Sequence, residues 1–158
     1  MPDGWRLAQP DNAKTTRQMM DGEGAYLYSG RWNSKGTRMA YLGTSLAQAA
    51  MELFVNLGRT DVLNTYHKIT VSFDESLMTH IDIHDLPSNW SEPSMASSVQ
   101  AVGDDWVARN TSLVLQVPSA AVIGEYNYLF NPLHPDADQA TYSGIAPFTY
   151  DPRMLKSK

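Results

Sequence analysis

Tyr41-Leu42-Gly43-Thr44-Ser45-Leu46-Ala47-Gln48-Ala49-Ala50-Met51-Glu52-Leu53-Phe54-Val55-Asn56-Leu57-Gly58 is the stretch that decides the fold. A short strand ends at Tyr41, Gly43-Thr44 turns the chain, and the spacing that follows predicts a helix over 44–57. Thr44 or Ser45 supplies the N-cap, and Gly58 stands just past the last turn. Leu46, Ala50, Leu53, Phe54 and Leu57 recur at helical spacing and form a buried stripe. Glu52 falls opposite the middle of that stripe, in line with Gln48 and Asn56 at i±4, so its carboxylate faces solvent or a cleft.

Away from this helix the period changes. Downstream, Ile69, Val71 and Phe73 alternate with Lys68, Thr70 and Ser72, which marks a half-buried strand over 67–73. A second helix is predicted over 97–110 from Val99, Val102, Trp106 and Val107, with Gly103 lowering its propensity. Leu113 to Val117 reads as a strand buried on both faces, ended by Pro118, which cannot donate to a ladder. Upstream, Asp21-Gly22-Glu23-Gly24 is turn chemistry, and a short strand is expected over 25–29. Residues 126–153, rich in Pro, Asn, Tyr and His, read as ordered irregular structure. Several short strands with two helices indicate the α+β class and not a doubly wound sheet. The polar stretch 87–98 reads as a loop, so residues 1–158 are expected to form one compact domain.

Bulk properties narrow the function. The chain has 158 residues, of which 42% are apolar, which suits one core with no need of disulfides or a structural metal. Its net charge is −5 and its 12 Lys and Arg are spread thinly, so no basic stripe is available to displace counterions from nucleic acid. A small anionic ligand would instead be gripped by a few arginines, with Arg6, Arg31 and Arg38 the early candidates. No basic n-region followed by an apolar run opens the chain, and no apolar run approaches a membrane span. Cytoplasmic residence without membrane contact is the expectation.

Several motifs fail on their chemistry. Gly22-Glu23-Gly24 lacks the third glycine of a dinucleotide loop, and the segment after it reads as a strand. No phosphate-binding P-loop is present. His80-Ile81-Asp82-Ile83-His84 would place two imidazoles and a carboxylate on one strand face. We read it as the polar outer face of an edge strand with Ile81 and Ile83 inward, and assign no metal. Ser119 has neither a nucleophile elbow nor a base paired with it in sequence, so it is read as a local cap after Pro118.

Two segments survive. Gly30-Arg31-Trp32-Asn33, followed by the turn Ser34-Lys35-Gly36, presents a cation, an indole and an amide together at a strand end. Pro118-Ser119-Ala120 and the run from Glu125 to Pro135 crowd hydrogen-bonding side chains between fixed prolines, as in the rigid wall of a site. Taken singly, Tyr41 reads as a core tyrosine and Glu52 as a solvated helix residue.

In their order and spacing these segments resemble the RES domain, a family of bacterial toxins. The resemblance rests on Trp5-Arg6, Gly22-Glu23-Gly24-Ala25, Ser29-Gly30-Arg31-Trp32-Asn33-Ser34-Lys35-Gly36, Tyr41, Ala49-Ala50-Met51-Glu52, Gly103-Asp104 and Pro118-Ser119-Ala120. It continues through Asn127-Tyr128-Leu129-Phe130-Asn131-Pro132-Leu133-His134-Pro135 to Phe148-Thr149-Tyr150-Asp151-Pro152-Arg153. Ser29 stands where the family usually has a second glycine. The resemblance implies a fold similar to ADP-ribosyltransferases and breakdown of NAD+ by hydrolysis or phosphorolysis. NAD+ is then a consumed substrate and no cofactor is needed. It implies Arg31, Tyr41 and Glu52 as catalytic residues, with Arg6, Trp32, Ser119, Asn131 and His134 binding substrate. As partners it implies a helix-turn-helix (Xre-like) antitoxin, DNA only through that antitoxin, and a homodimer within the toxin–antitoxin complex. A protein ADP-ribosyltransferase and a catalytically silent antitoxin-binding module are the alternative readings.

Overall fold

The computed structural model describes residues 1–155. Its strands are β1 (Asp3–Ala8), β2 (Ala40–Gly43), β3 (Thr65–Ser72), β4 (Met78–His80), β5 (Val114–Pro118), β6 (Tyr126–Phe130), β7 (Thr141–Tyr142) and β8 (Ala146–Thr149). Its helices are α1 (Thr16–Met20), α2 (Glu23–Tyr28), α3 (Leu46–Phe54) and α4 (Ser97–Ala108), with short 3-10 turns between. All eight strands join one sheet in the order β4-β5-β6-β2-β1-β3-β7, with β8 also pairing β3. Only β4 and β5 run parallel, and α4 is the crossover that such a connection requires. This is an α+β architecture. Among the described residues no helix is long and apolar enough to cross a membrane.

Strand alternation divides the core between the two faces of the sheet. On one face Ala40, Leu42, Ile69, Val71, Val114, Tyr128 and Phe130 pack with Met19 and Met20 of α1. On the other, Leu115, Val117 and Leu129 pack with Val99 and Trp106 of α4, and with Trp32, Met39 and Trp90. Beside α4, α3 lies on this second face across β1, β2 and β6. Its Leu53, Phe54 and the following Leu57 cover Tyr66 and Tyr150.

The seat of α3 is made by a missing side chain. A Cβ on Gly43 would stand 2.4 Å from the backbone nitrogen of Ala49 and 2.8 Å from its Cα, so only glycine lets the helix backbone lie directly on β2. Gly43 pairs with Asn127 of β6, and the close approach brings the helix side chains onto that strand.

Four sequence expectations change. The helix expected over 44–57 is shorter, because Ser45 is the cap, its hydroxyl accepting from the Gln48 N–H at 3.0 Å, and a 3-10 turn follows Phe54. The strand expected over 25–29 is the helix α2. Its apolar side chains Leu27 and Tyr28 are exposed, so their strand propensity has no sheet to bury against, while Asp21 caps the Glu23 N–H at 3.0 Å. A helix after Gly22-Glu23-Gly24 removes one ground for rejecting a dinucleotide loop. The rejection rests on the absent third glycine, on the helix where a strand should precede the glycines, and on a mainly antiparallel sheet. The irregular tail contains three strands, one of which, β6, lies at the centre of the sheet between β5 and β2. Finally, the edge strand expected around His80–His84 stops at His80. Asp82 caps a 3-10 turn and Ile83 is exposed, so the alternation that would align both imidazoles on one strand face is not formed.

Substitution of two glycines tests this reading of the packing. Gly43→Ala is expected to destabilise by at least about 1–3 kcal/mol, the usual cost of overpacking. Gly24→Ala, which meets nothing within 4 Å on a helix, is expected to stabilise by up to about 1 kcal/mol. Urea denaturation midpoints of the two variants check both signs.

Candidate active site

Three elements, α3, β6 and the end of β5, converge on Glu52. The i and i+4 positions of α3 put Gln48 and Glu52 on one side of the helix, facing β6. There the Glu52 Oε2 accepts from the Asn127 amide at 2.5 Å and from the Gln48 amide at 3.3 Å. Pro118 closes β5 and delivers Ser119, fully buried, whose hydroxyl donates to the same Oε2 at 2.7 Å. That hydroxyl also accepts from the Val122 N–H at 3.0 Å, so its proton is committed to Glu52 and its position is locked. Gln48 and Asn127 are tied to each other at 2.9 Å. Among the described residues Glu52 Oε1 accepts no hydrogen bond. A carboxylate gripped by one oxygen keeps the other for a ligand.

Tyr41 lies on the same face of the sheet. It pairs with Leu129, two residues from Asn127, which sets the Tyr41 and Asn127 positions roughly 7–8 Å apart as diagonal neighbours. Its hydroxyl accepts from the Trp32 N–H at 3.0 Å and donates to Asn33 Oδ1 at 2.7 Å. Asn33 is itself fully buried and donates to the carbonyls of Ala25, Ser34 and Thr37. Burial pushes the Tyr41 phenol well above the usual tyrosine range, against the opposing pull of the Trp32 N–H. The ring is therefore neutral and held at its tip.

Arg31 leaves the same loop. Its Nη1 donates to the carbonyls of Trp90 and Glu92 at 2.9 and 2.7 Å, which spends one nitrogen on the 87–95 loop. Among the described residues Nε and Nη2, the paired edge of the guanidinium, have no partner. Helix α4 clamps the loop from behind with residues at i, i+3 and i+4. Gln100 donates to the Gly30 carbonyl at 3.0 Å, and Asp104 accepts from the Ser34 N–H at 3.0 Å and its hydroxyl at 2.6 Å. Between them Gly103 meets the Trp32 carbonyl so closely that a Cβ would stand 1.8 Å from its oxygen.

The remaining residues expected at the site are placed elsewhere. The Trp32 indole is core, stacked on Trp90 with centroids 6.5 Å apart, and only its backbone meets Tyr41. Arg6 pairs with Ile69 and so points to the opposite face of the sheet. Its Nε donates to the Met19 carbonyl at 2.5 Å and its Nη1 to the Tyr41 carbonyl at 3.3 Å. Burial lowers the Arg6 pKa while Asp21 raises it. Asn131 and His134 lock the turn after β6, at the end away from Asn127. Asn131 donates to Asn110 Oδ1 at 3.2 Å and accepts from the Leu133 N–H, and His134 meets the Asn110 carbonyl and the Asp136 N–H. Sequence reasoning passed over Gln48 and Asn127 as partners of Glu52. Helical spacing marks Gln48, but nothing local marks Asn127.

Comparisons with known proteins match nearly the whole chain. The family described as the RES domain matches residues 4–151. A protein named Toxin Res from Photorhabdus laumondii is 31% identical over 92% of this chain and 94% of its own length. One named Prs ADP-ribosylating toxin, from a Sphingobium species, is 30% identical over 96% of each chain. Among solved structures, a chain of the M. tuberculosis MbcT-MbcA toxin-antitoxin complex superposes with a TM-score of 0.73 at 19% identity. It covers 98% of this chain and 86% of that one.

The anchoring of Tyr41 has a measurable cost and a pH signature. Tyr41→Phe leaves the buried Trp32 N–H and Asn33 carbonyl without their partner and is expected to destabilise by about 1–3 kcal/mol. Tyr126→Phe, on a half-exposed ring whose hydroxyl makes no hydrogen bond among the described residues, should stay within about 0.5 kcal/mol. A phenol whose pKa is raised by folding contributes stability that is present in full below its unfolded value, about 10, and is lost as pH rises toward the folded value. Tyr150, pushed up to about 12 by burial, acts in the same direction. Denaturation midpoints should fall above about pH 10, and less steeply in Tyr41→Phe.

Proposed function

The chain belongs to the RES domain family, and on that premise we propose that it is the toxin of a toxin–antitoxin pair that breaks the nicotinamide–ribose bond of NAD+. The observation that carries this reading is the Glu52 carboxylate, held at Oε2 by Ser119, Asn127 and Gln48 with Oε1 unspent. A silent binding module has no need of a carboxylate fixed from three elements.

The chemistry asks for one such group. Nicotinamide leaves a cationic pyridinium as a neutral molecule, so no second carboxyl is needed to protonate the leaving group, unlike ordinary glycoside hydrolysis. Glu52 Oε1 would accept from a ribose hydroxyl and stabilise the positive charge that develops on the sugar, an interaction stronger in the transition state than in the bound substrate. The Tyr41 ring, fixed at its hydroxyl, offers a stacking surface for the nicotinamide. The free Nε–Nη2 edge of Arg31 matches two oxygens of the pyrophosphate, or of an attacking phosphate if phosphate and not water is the acceptor. Ser119 acts through Glu52 as a positioning residue. Arg6 steadies the Tyr41 backbone from the far face, Trp32 supports the loop, and Asn131 and His134 brace the end of β6.

In this reading NAD+ is a substrate consumed in the cytoplasm, residues 1–158 form one domain, and the partner is a helix-turn-helix antitoxin through which alone DNA is met. The solved complex that shares the fold supports an antitoxin partner. A second reading, protein ADP-ribosylation, is favoured by the Sphingobium relative, which is named a Prs ADP-ribosylating toxin. There the same bond breaks and a protein side chain takes the place of water or phosphate.

The purified chain is expected to release nicotinamide from NAD+. Glu52→Gln should retain the native circular dichroism yet turn over about a hundredfold more slowly or less. Undiminished turnover in that variant would remove the proposal. NAD+ labelled on the adenine side separates the two readings, since label left in small molecules means NAD+ breakdown and label fixed on protein means transfer.

A further inference from the structure

A hollow of about 510 Å³ opens on the face of the sheet opposite Glu52. Its floor includes Met20 and Phe130, which belong to the core of that face, and Leu133 stands 70% exposed at its rim. Two arginines, a threonine and a tyrosine bring hydrogen-bond donors to its lining. Arg17, Thr16 and Tyr142 line it, and among the described residues their side chains make no hydrogen bond or ion pair. Arg38 also lines it and is held in place, with Nη1 donating to the Asp21 carbonyl at 3.2 Å and its guanidinium 4.7 Å over the Tyr26 ring. Asp21 brings the one carboxylate named in the lining, and one of its oxygens is already occupied by the Glu23 N–H.

We propose that this hollow is a second ligand site, for a small molecule that joins an anionic head, phosphate or carboxylate, to an aromatic or apolar body. Two arginines face one carboxylate there, in a chain whose net charge is −5, so the local field opposes that of the whole protein. The fixed Arg38 and the unspent Arg17, Thr16 and Tyr142 donors suit an anion, because each bond to it would be charge-assisted or would satisfy a free hydroxyl. Its volume falls in the range of small-molecule sites, roughly 300–1,000 Å³, and such sites pair an apolar lining with a few placed polar groups. A core packing fault would not gather two guanidinium groups and two hydroxyls around an apolar floor. Phe130 pairs with Ala40, and Tyr41 and Asn127 project from the same two strands on the other face. The ligand therefore occupies a place separate from the one beside Glu52, and the site stands or falls independently of the proposed NAD+ chemistry.

Titration of the full ¹⁵N-labelled chain with phenyl phosphate tests the site by amide shifts. Saturable shifts are expected at residues 16–21 and 130–133, with the same curve in Glu52→Gln. Inorganic phosphate alone and benzyl alcohol alone should each bind at least about tenfold more weakly, each lacking one half of the recognition. Arg17→Gln should weaken phenyl phosphate about tenfold, with Arg17→Lys recovering part of the loss. Leu133→Glu, a change on an exposed rim, should abolish binding. Benzoate in place of phenyl phosphate distinguishes a carboxylate head from a phosphate one. Shifts confined to other residues, or a curve unchanged in both Arg17→Gln and Leu133→Glu, would overturn the proposal. So would binding of an acidic peptide at these residues where phenyl phosphate does not bind.

Discussion

The contact between Gly43 and the backbone of Ala49 is the constraint from which the site follows. Helices normally stand off a sheet by the length of the side chains between them, about 10 Å between layers in most packings. At Gly43 that spacer is gone, and α3 touches β2 through backbone atoms. Short amides on the helix and on β6 can then meet without reaching. Gln48 and Asn127 are bonded directly, and Glu52, one turn farther along α3, lands on the same Asn127. With any side chain at position 43 the helix would lift, and the bonds that Asn127 and Ser119 make to Glu52 and the bond between Gln48 and Asn127 would lengthen together.

Gathering so many polar groups in a buried place is costly unless every bond is made. Gln48, Asn127 and Ser119 are all buried, and among the described residues no buried side-chain nitrogen or oxygen lacks a partner. Complete satisfaction makes the cluster rigid. It also makes it directional, because each of the donors points to Oε2 and the carboxylate has one rotamer that accepts them all. On the same face of the sheet the Gly30–Ser34 loop is treated the same way by α4. There Gly103 again allows backbone contact, while Gln100 and Asp104 take the loop's carbonyl and amide. Two helices on one face thus hold the two halves of the site by one device, a glycine flanked by hydrogen-bonding side chains.

What the sequence made legible divides along physical lines. The helix around Glu52, the strand through Ile69 and Val71, the helix through Trp106 and the buried strand after Leu113 all carry a period, and all are present with shifted ends. β6 was hidden because it is buried on both faces, so Tyr128 and Phe130 serve one core and Leu129 the other, and no alternation survives. Its Asn127 and the Asn131-Pro132 that follows look like loop chemistry, though Asn127 is polar for the sake of Glu52. α2 failed the other way, since Tyr26, Leu27 and Tyr28 favour a strand by type but no neighbour is there to pair with them. Within the site, Glu52 was singled out by family resemblance, not by anything in its own surroundings in the chain. Asn127 could be tied to it only through the pairing of Gly43 with Asn127, which is tertiary information.

Charge placement follows from the same two-faced sheet. Four of the seven arginines divide between these faces: Arg31 serves the face of Glu52, while Arg6, Arg17 and Arg38 gather on the other. Arg6 is the hinge between them, because its guanidinium sits among the core residues of one face and bonds the Tyr41 carbonyl, whose side chain belongs to the other. A buried cation bonded only to carbonyls depends on the field around it, and Asp21 supplies the favourable part of that field. Asp21 also gives its carbonyl to Arg38 at the mouth of the second hollow. Any anion held by Arg17 and Arg38 would stand within the field that Arg6 feels, so the backbone position of Tyr41 and the occupancy of the far face share one electrostatic neighbourhood.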